Sequence, residues 1–267
     1  VAAKIVYDLL DKEYETAPEN ERMREFLCEY DATMEKDMIE VSRRDVLAWF
    51  HYGCYFNLGN QKRLQFTLQQ MANSLLDHFC QEVSYTRLQN EYKLSSIHTA
   101  INYVSYLENA CLLRLVPKFS FKSIERQTQR KAYAIDNAFI TDHDDVLQTD
   151  SFGWRLENAI AVELLRRMEY ATQQLFYLRQ NRSYEVDFCI VDRNHVTHLI
   201  QVTYDFTHPK TKLYNREIGG LLKGSTATGC TNLTLIMMSG ETGDLEIDGK
   251  TIHRVLATDW LLGRYTS

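Results

Sequence analysis

The sequence predicts a mixed α+β chain: an N-terminal helical bundle, a winged helix-turn-helix, then an α/β domain of order αβββαβ. Three observations predict this. Residues 1–82 carry apolar side chains at helical spacing, as in "IVYDLLDKEY" and "LQFTLQQMANSLLDHF", with Pro18 as their one proline. Residues 83–118 read as a helix, a short turn, a longer helix and a strand. From Gly153 onward, helical periodicity alternates with β-rich runs. The predicted domains are 1–82, 83–150 and 151–267.

Composition bounds the function classes. The chain of 267 residues is 45% hydrophobic and 25% charged, the balance of a folded, soluble protein. No apolar run approaches the ~18 residues that span a bilayer, and no signal-peptide pattern opens the chain. No membrane role is expected, and the expected location is cytoplasmic. The chain opens on Val1, so it is expected to be a processed or excised piece of something longer. Cys28, Cys54, Cys80, Cys111, Cys189 and Cys230 form no CxxC pair. They read as reduced, buried thiols, against a disulfide framework or a zinc site.

The net charge of −6 excludes a globally basic nucleic-acid binder. The charge is uneven. Residues 1–45 hold 7 Lys/Arg and 13 Asp/Glu, and the remainder balances to zero. The segment "LLRLVPKFSFKSIERQTQRK" (112–131) has six bases and one acid. Its Arg114, Lys118, Lys122, Arg126, Arg130 and Lys131 are the DNA-binding candidates.

In the middle of the chain, "SYTRLQNEYKL" reads as a short helix. "SSIHTAINYVSYLENACLLRLV" reads as a longer one with Ser95 or Ser96 as N-cap. Ile97, Ile101, Val104 and Leu107 form its predicted apolar face. Ser96, His98, Asn102 and Ser105 face out, able to touch DNA but bringing no charge, so the pair of helices serves either base readout or packing. "KAYAIDNAFI" (131–140) reads as an apolar strand with a turn at Asp136 and Asn137. The acids of "TDHDD" (141–145) read as a solvated loop rather than a metal site.

The last third reads as a helix near 153–170, strands near 174–180, 184–191 and 196–204, a helix over 211–223 and a strand over 231–238. A hairpin-like "EIDGKTIHRVLA" and a last helical turn, "TDWLLG", follow. On a helical wheel Glu157 aligns with Ile160, Ala161, Leu164 and Met168. Burying that carboxylate unpaired costs several kcal/mol, so it must face a cleft, a base or a metal. Glu163 aligns instead with Arg166 and Arg167, as a surface ion pair. In "SYEVDFCIVDRNHVTHLIQVTY" (183–204), Asp192-Arg193-Asn194 is the turn of a hairpin. Alternation puts Glu185, Asp187, Cys189 and Val191 on one face, and Gln201 and Thr203 on one face of the next strand. Asp187, Gln201 and Thr203 then cluster, either as a metal-site floor or as a wet sheet face whose polar groups satisfy each other.

A helix Glu, a strand Asp and a strand (D/E)-x-K on an αβββαβ core resemble the PD-(D/E)XK nuclease superfamily, a restriction-endonuclease-like fold. The matching positions are Glu157, Asp187 and Gln201-Val202-Thr203. Over roughly residues 30–265 the chain also resembles the C-terminal region of a bacterial and archaeal family of AAA-type ATPases. The shared stretches are "SYTRLQNEYKLSSIHTAINYVSYLENACLL", "KAYAIDNAF", "GWRLENAIAVELLRR", "YEVDFCI", "QVTYD" and "NREIGGL". That resemblance implies an ATPase core upstream of Val1. No GxxxxGK[ST] P-loop is present, since "GGLLKGST" (219–226) lacks the spacing, so no ATP site is expected.

The resemblance implies Mg²⁺ or Mn²⁺ on Glu157 and Asp187, activating water and neutralising a phosphate. It implies Glu157, Asp187, Gln201 and Thr203 as the catalytic set. Two departures weaken it. Thr203 stands where the lysine belongs, and losing one charge-stabilising donor costs about 10²–10³ in rate. Gln201 stands where an acid belongs, and Mg²⁺ prefers carboxylates. Arg179 or Arg182 could supply the missing positive charge. Two functions stand: a non-catalytic module that binds DNA or a partner for an ATPase, or a metal-dependent DNA nuclease. A transcription regulator leaves the α/β domain without a role.

Overall fold

Helix α1 (Lys62–Asp77) buries Leu68, Met71, Ala72, Leu75 and Leu76, an i, i+3, i+4, i+7, i+8 stripe that gives one helical face to the core. The computed structural model describes residues 62–120, 123–141, 152–180, 183–207 and 212–264, all within the unit Tyr55–Ser267. Residues 1–61 of the bundle predicted over 1–82, with Cys28 and Cys54, lie outside the described residues, as do Lys122, Arg182 and the loop acids Asp142, Asp144 and Asp145.

Two capped helices follow. The Ser84 hydroxyl accepts from the Arg87 N–H at 3.3 Å and starts α2 (Tyr85–Glu91). Ser96, one of the two predicted caps, accepts from the Thr99 N–H at 3.2 Å and starts α3 (Ile97–Asn109). Its buried face is Ala100, Val104 and Leu107, while Ile97 is 42% exposed. The predicted apolar face is corrected at that first turn, where the cap turns Ile97 outward.

Strand β1 (Leu113–Pro117), helix α4 (Ser123–Thr128) and strand β2 (Arg130–Ala134) come next. β1 and β2 pair antiparallel, from Leu113 opposite Ala134 to Pro117 opposite Arg130. The strand read in 131–140 ends at Ala134, just before the turn predicted at Asp136 and Asn137. The Asp136 carboxylate accepts from the Ala138 N–H at 2.8 Å and turns the chain into a short helix, α5 (Ala138–Thr141). The second edge of β2 is also closed. Cys80 N–H donates to Ala132 O at 2.7 Å, Ala132 N–H to Gln81 O at 3.1 Å and Val83 N–H to Arg130 O at 2.8 Å.

The remaining elements are α6 (Phe152–Arg167), β3 (Gln173–Gln180), β4 (Tyr184–Asp192), β5 (His195–Phe206), α7 (Lys212–Thr228), β6 (Leu233–Gly240), β7 (Gly243–Ile247), β8 (Lys250–Leu256) and α8 (Ala257–Leu261). The predicted order αβββαβ is present, followed by a hairpin and a final helix. The six strands form one sheet of order β3-β4-β5-β6-β8-β7. β3, β4 and β5 run antiparallel, β6 pairs parallel with β5 and β8, and β7 closes the far edge antiparallel. The β4–β5 turn centres on Arg193 (φ 47°) and Asn194 (φ 71°), the two left-handed residues that suit strand twist in a two-residue hairpin.

Helix α7 lies close on β4 and β5 because two glycines face them. A Cβ on Gly220 would stand 2.5 Å from the Glu185 carbonyl oxygen, and one on Gly224 would stand 2.9 Å from Val186. Between helix and sheet lies an apolar core that includes Leu178, Val186, Leu199, Ile218 and Leu221. Cys80, Cys189 and Cys230 are free, buried thiols, as the sequence predicts; Cys111 is free but half-buried. No helix among the described residues is long and apolar enough to cross a membrane.

A half-buried histidine on β5 gives the sheet a pH limit. His198 bonds Thr234 Oγ1 at 2.8 Å, and burial, aided by nearby His253, lowers its pKa to about 4. Below pH 6.5 the unfolded chain takes a proton that the folded histidine refuses. Stability is therefore expected to fall by about 2 kcal/mol between pH 7 and pH 4.5 from this group. Urea midpoints at the two pH values should show a smaller loss for His198→Gln. An equal loss in both proteins would remove His198 as the cause.

Candidate functional site

Strands β4 and β5 pair from Asp192 opposite His195 up to Phe188 opposite Ile200, and there the ladder ends. Beyond that point β4 stays with β3, and β5 stays with β6. Two side chains bridge the fork. Gln201 Oε1 accepts from the Asp187 N–H at 3.2 Å, and Asp187 Oδ2 accepts from the Val202 N–H at 2.9 Å. Polar residues sit inside this hairpin because they replace the ladder bonds where the strands part.

The same fork corrects the predicted alternation. On β4 the register slips between Val186 and Cys189, opposite Leu178 and Phe176 of β3. Val186, Cys189 and Val191 all join the core against α7. Strict alternation cannot put residues 186 and 189 on one side; the bulge does. Asp187 lies within the bulge, so its side chain is freed from the regular pleat.

Around the fork a cavity of about 490 Å³ opens, with Lys131, Glu157, Glu185, Asp187, Gln201 and Glu217 in its wall. Except for Glu185, each of these is at most 9% exposed. Glu157, on the buried face of α6 as predicted, accepts from the Tyr133 hydroxyl at 2.8 Å and from Lys131 Nζ at 3.2 Å. Lys131 Nζ also meets Glu185 Oε1 at 2.7 Å. Gln201 Nε2 donates to Glu217 Oε2 on α7, and the Glu217 carboxylate pairs with Arg216. Arg179 closes the rim, 3.3 Å from Glu82 and 3.5 Å from Glu185. Glu163 pairs with Arg166 and Arg167, the surface pairing that the wheel predicts.

Burial and charge divide the protons. Burial alone pulls the Lys131 pKa down, but Glu157, Asp187 and Glu185 more than offset it and hold it above the ordinary lysine range. Lys131 is therefore charged at neutral pH. Burial raises Asp187 well above the usual carboxylate range; the Glu157 charge adds to this, and Lys131 opposes it. Burial raises Glu217 as well, against Arg216. Cys80 and Tyr133 are pushed up by burial and by Glu157, so neither is an activated nucleophile.

The structure brings together Glu157, Asp187 and Gln201 but not Thr203. Thr203 is buried, and its hydroxyl donates at 3.4 Å to the Asp205 carbonyl. The basic strip divides. Lys131 turns inward. Lys118 bonds Gln129 at 2.9 Å, with Glu125 at 3.9 Å. Arg126 and Arg130 flank a second cavity of about 520 Å³ floored by Leu115, Met168 and Phe176. Arg114 lies on β1 opposite Tyr133. On α3, His98 and Asn102 are exposed as predicted, and Ser96 and Ser105 are half-buried.

Sequence reasoning placed Lys131 with the DNA candidates and left out Glu217. Both carry a signal. Lys131 and Tyr133 alternate along β2 and so share a face, the one that meets Glu157. Glu217 shares a helical face with Gly220 and Leu221, so the wheel argument made for Glu157 applies to it.

The donor set does not suit Mg²⁺ or Mn²⁺ as arranged. Glu157 Oε1 already accepts two bonds, Asp187 Oδ2 accepts a backbone N–H, and the Gln201 carbonyl oxygen accepts another. An ammonium already stands beside the carboxylates. Among the described residues no three His, Cys, Asp or Glu side chains are grouped to hold a metal ion.

No curated protein and no solved structure matches the chain. A family model described as a protein of unknown function, DUF3843, matches residues 1–144. That span includes Lys131 of the cavity wall and Tyr133, which bonds Glu157, and stops short of Glu157 itself. Since the match covers more than half of the 267 residues, the chain belongs to this family of unknown function, DUF3843.

Proposed function

We propose that residues 151–267 form a nuclease-like module with a degenerate site, and that it acts by binding DNA. In this reading residues 83–150 are a winged helix, and the chain is the non-ATPase half of an AAA-type ATPase. One observation carries the proposal. The strand triplet that should arm the site gives it neither acid nor ammonium. The Gln201 amide is spent on Asp187 and Glu217, and Thr203 is turned to Asp205. The order of α2, α3, β1 and β2 supports the winged-helix reading. Exposed Arg126 supports a phosphate contact, which carries no sequence information.

A working nuclease is the second reading. Lys131 favours it, because its ammonium reaches Glu157 at 3.2 Å from another strand and could stand in for the motif lysine.

One pair of assays decides. Supercoiled DNA is incubated with Mg²⁺ or Mn²⁺, with the protein and with its Asp187→Ala variant. No cleavage by either is expected. Cleavage that Asp187→Ala abolishes would make the protein a nuclease. In parallel, fluorescence anisotropy with duplex, branched and single-stranded DNA is expected to show binding that weakens steeply with salt. Arg126→Ala should reduce the affinity. A salt-independent signal, or none, would point to a protein partner instead.

A further inference from the structure

We propose that the Lys131 ammonium is the resident cation of the carboxylate cluster and keeps divalent metal ions out of it. This rests on the degenerate-site reading and goes beyond it by naming the group that closes the site.

The position of Nζ is the first argument. It lies 3.2 Å from Glu157 Oε1 and 2.7 Å from Glu185 Oε1, and the side chain is 6% exposed. The Tyr177 ring stands behind it, with Nζ 5.4 Å from the ring centroid. A metal ion bound through Glu157 Oε1 or Glu185 Oε1 would have to displace the ammonium that both oxygens already hold. A second cation beside the first would also be repelled in a poorly solvated cavity.

Anchoring is the second argument. Lys131 sits on β2, opposite Val116 of β1 on one side and bridged to Glu82 on the other. Both edges of the strand are hydrogen-bonded, so the Lys131 backbone is held in place, and the ammonium can leave the cluster only by a rotamer change of a side chain that is 6% exposed. A lysine on a loop could step aside for an ion. This one is built into a closed ladder.

Completeness is the third. Each carboxylate in the wall already has a partner. Glu157 has Lys131 and Tyr133, Glu185 has Lys131 and Arg179, Asp187 has the Val202 N–H, and Glu217 has Arg216 and Gln201. Replacing the lysine by a neutral side chain of similar length breaks that balance and leaves Glu157 with oxygens free for a metal ion.

The test is Mn²⁺ binding, followed by electron paramagnetic resonance and by thermal unfolding, in the wild-type chain and in Lys131→Met. The wild type is expected to bind no Mn²⁺ at the cluster and to show no metal-dependent shift in Tm. Lys131→Met is expected to gain one site at least about tenfold tighter than any in the wild type, with a Tm that Mn²⁺ raises. Adding Asp187→Asn should abolish the gain. If Lys131→Met does not fold alone but Mn²⁺ restores a cooperative transition, the ion has taken the lysine's place and the proposal stands. A variant that gains no Mn²⁺ site, or stays unfolded with and without Mn²⁺, overturns it. So does one Mn²⁺ per wild-type chain that Asp187→Asn removes. Wild-type Mn²⁺ binding without DNA cleavage would sink the role of Lys131 and leave the binding module standing. Cleavage would sink the module itself.

Discussion

Lys131→Ala is expected to lower the stability of the chain by about 3–5 kcal/mol, read as a fall in the urea midpoint at pH 7. The loss comes from what remains. Glu157 is 9% exposed and would keep one hydroxyl partner but no positive charge. Glu185 is about one-third exposed and can turn to water, so it contributes less. Removing the orphaned charge should restore much of the stability. Lys131→Ala with Glu157→Gln is therefore expected to recover about half of the loss, since the glutamine carbonyl can still accept from Tyr133. If the double variant is no more stable than Lys131→Ala alone, the charge argument fails and the cost is one of packing.

Asn158→Ala should cost about 2–4 kcal/mol, from two stranded backbone groups and a lost side-chain bond. Asn158 is fully buried on α6, and its carboxamide takes both polar groups of one β2 residue. It accepts from the Ala134 N–H at 2.8 Å and donates to the Ala134 carbonyl at 2.9 Å. The same amide nitrogen donates to Asn137 Oδ1 at 2.9 Å. Asn158 thus pins the end of β2, the strand that delivers Lys131, onto the helix that carries Glu157. Asn158→Asp is expected to be worse than alanine, because a carboxylate would face two acceptor oxygens. Thermal unfolding of the three proteins gives the order. Wild-type stability in Asn158→Ala would show that water or a neighbour satisfies Ala134.

Much of the fold was legible in the sequence. The stripe Leu68–Leu76, the Ser96 cap, the Arg193-Asn194 turn and the order αβββαβ are products of local geometry. They rest on side chains three or four apart on a helix, or two apart on a strand. The same rule aimed Glu157 inward and Glu163 outward. It erred where one local rule met another. The turn at Asp136 leads into α5, a short helix the strand reading did not contain, and the bulge in β4 moved Asp187 off the regular face.

By itself, then, the sequence determined which segments become helix or strand, which faces are apolar, and that a carboxylate on a buried helical face needs a partner. It determined too that the Gln201-Val202-Thr203 triplet lacks the acid and the lysine of the motif it resembles. The tertiary structure alone decided who that partner is. Lys131 meets Glu157 from 26 positions away in the chain, on a different strand. Helical and strand periods describe a residue's own element and carry no information about which charged group another element will bring to it. The sign of Lys131 was written in the sequence. Its place, beside Glu157 and Glu185 rather than on the surface, came from the packing of β2 against α6 and β4.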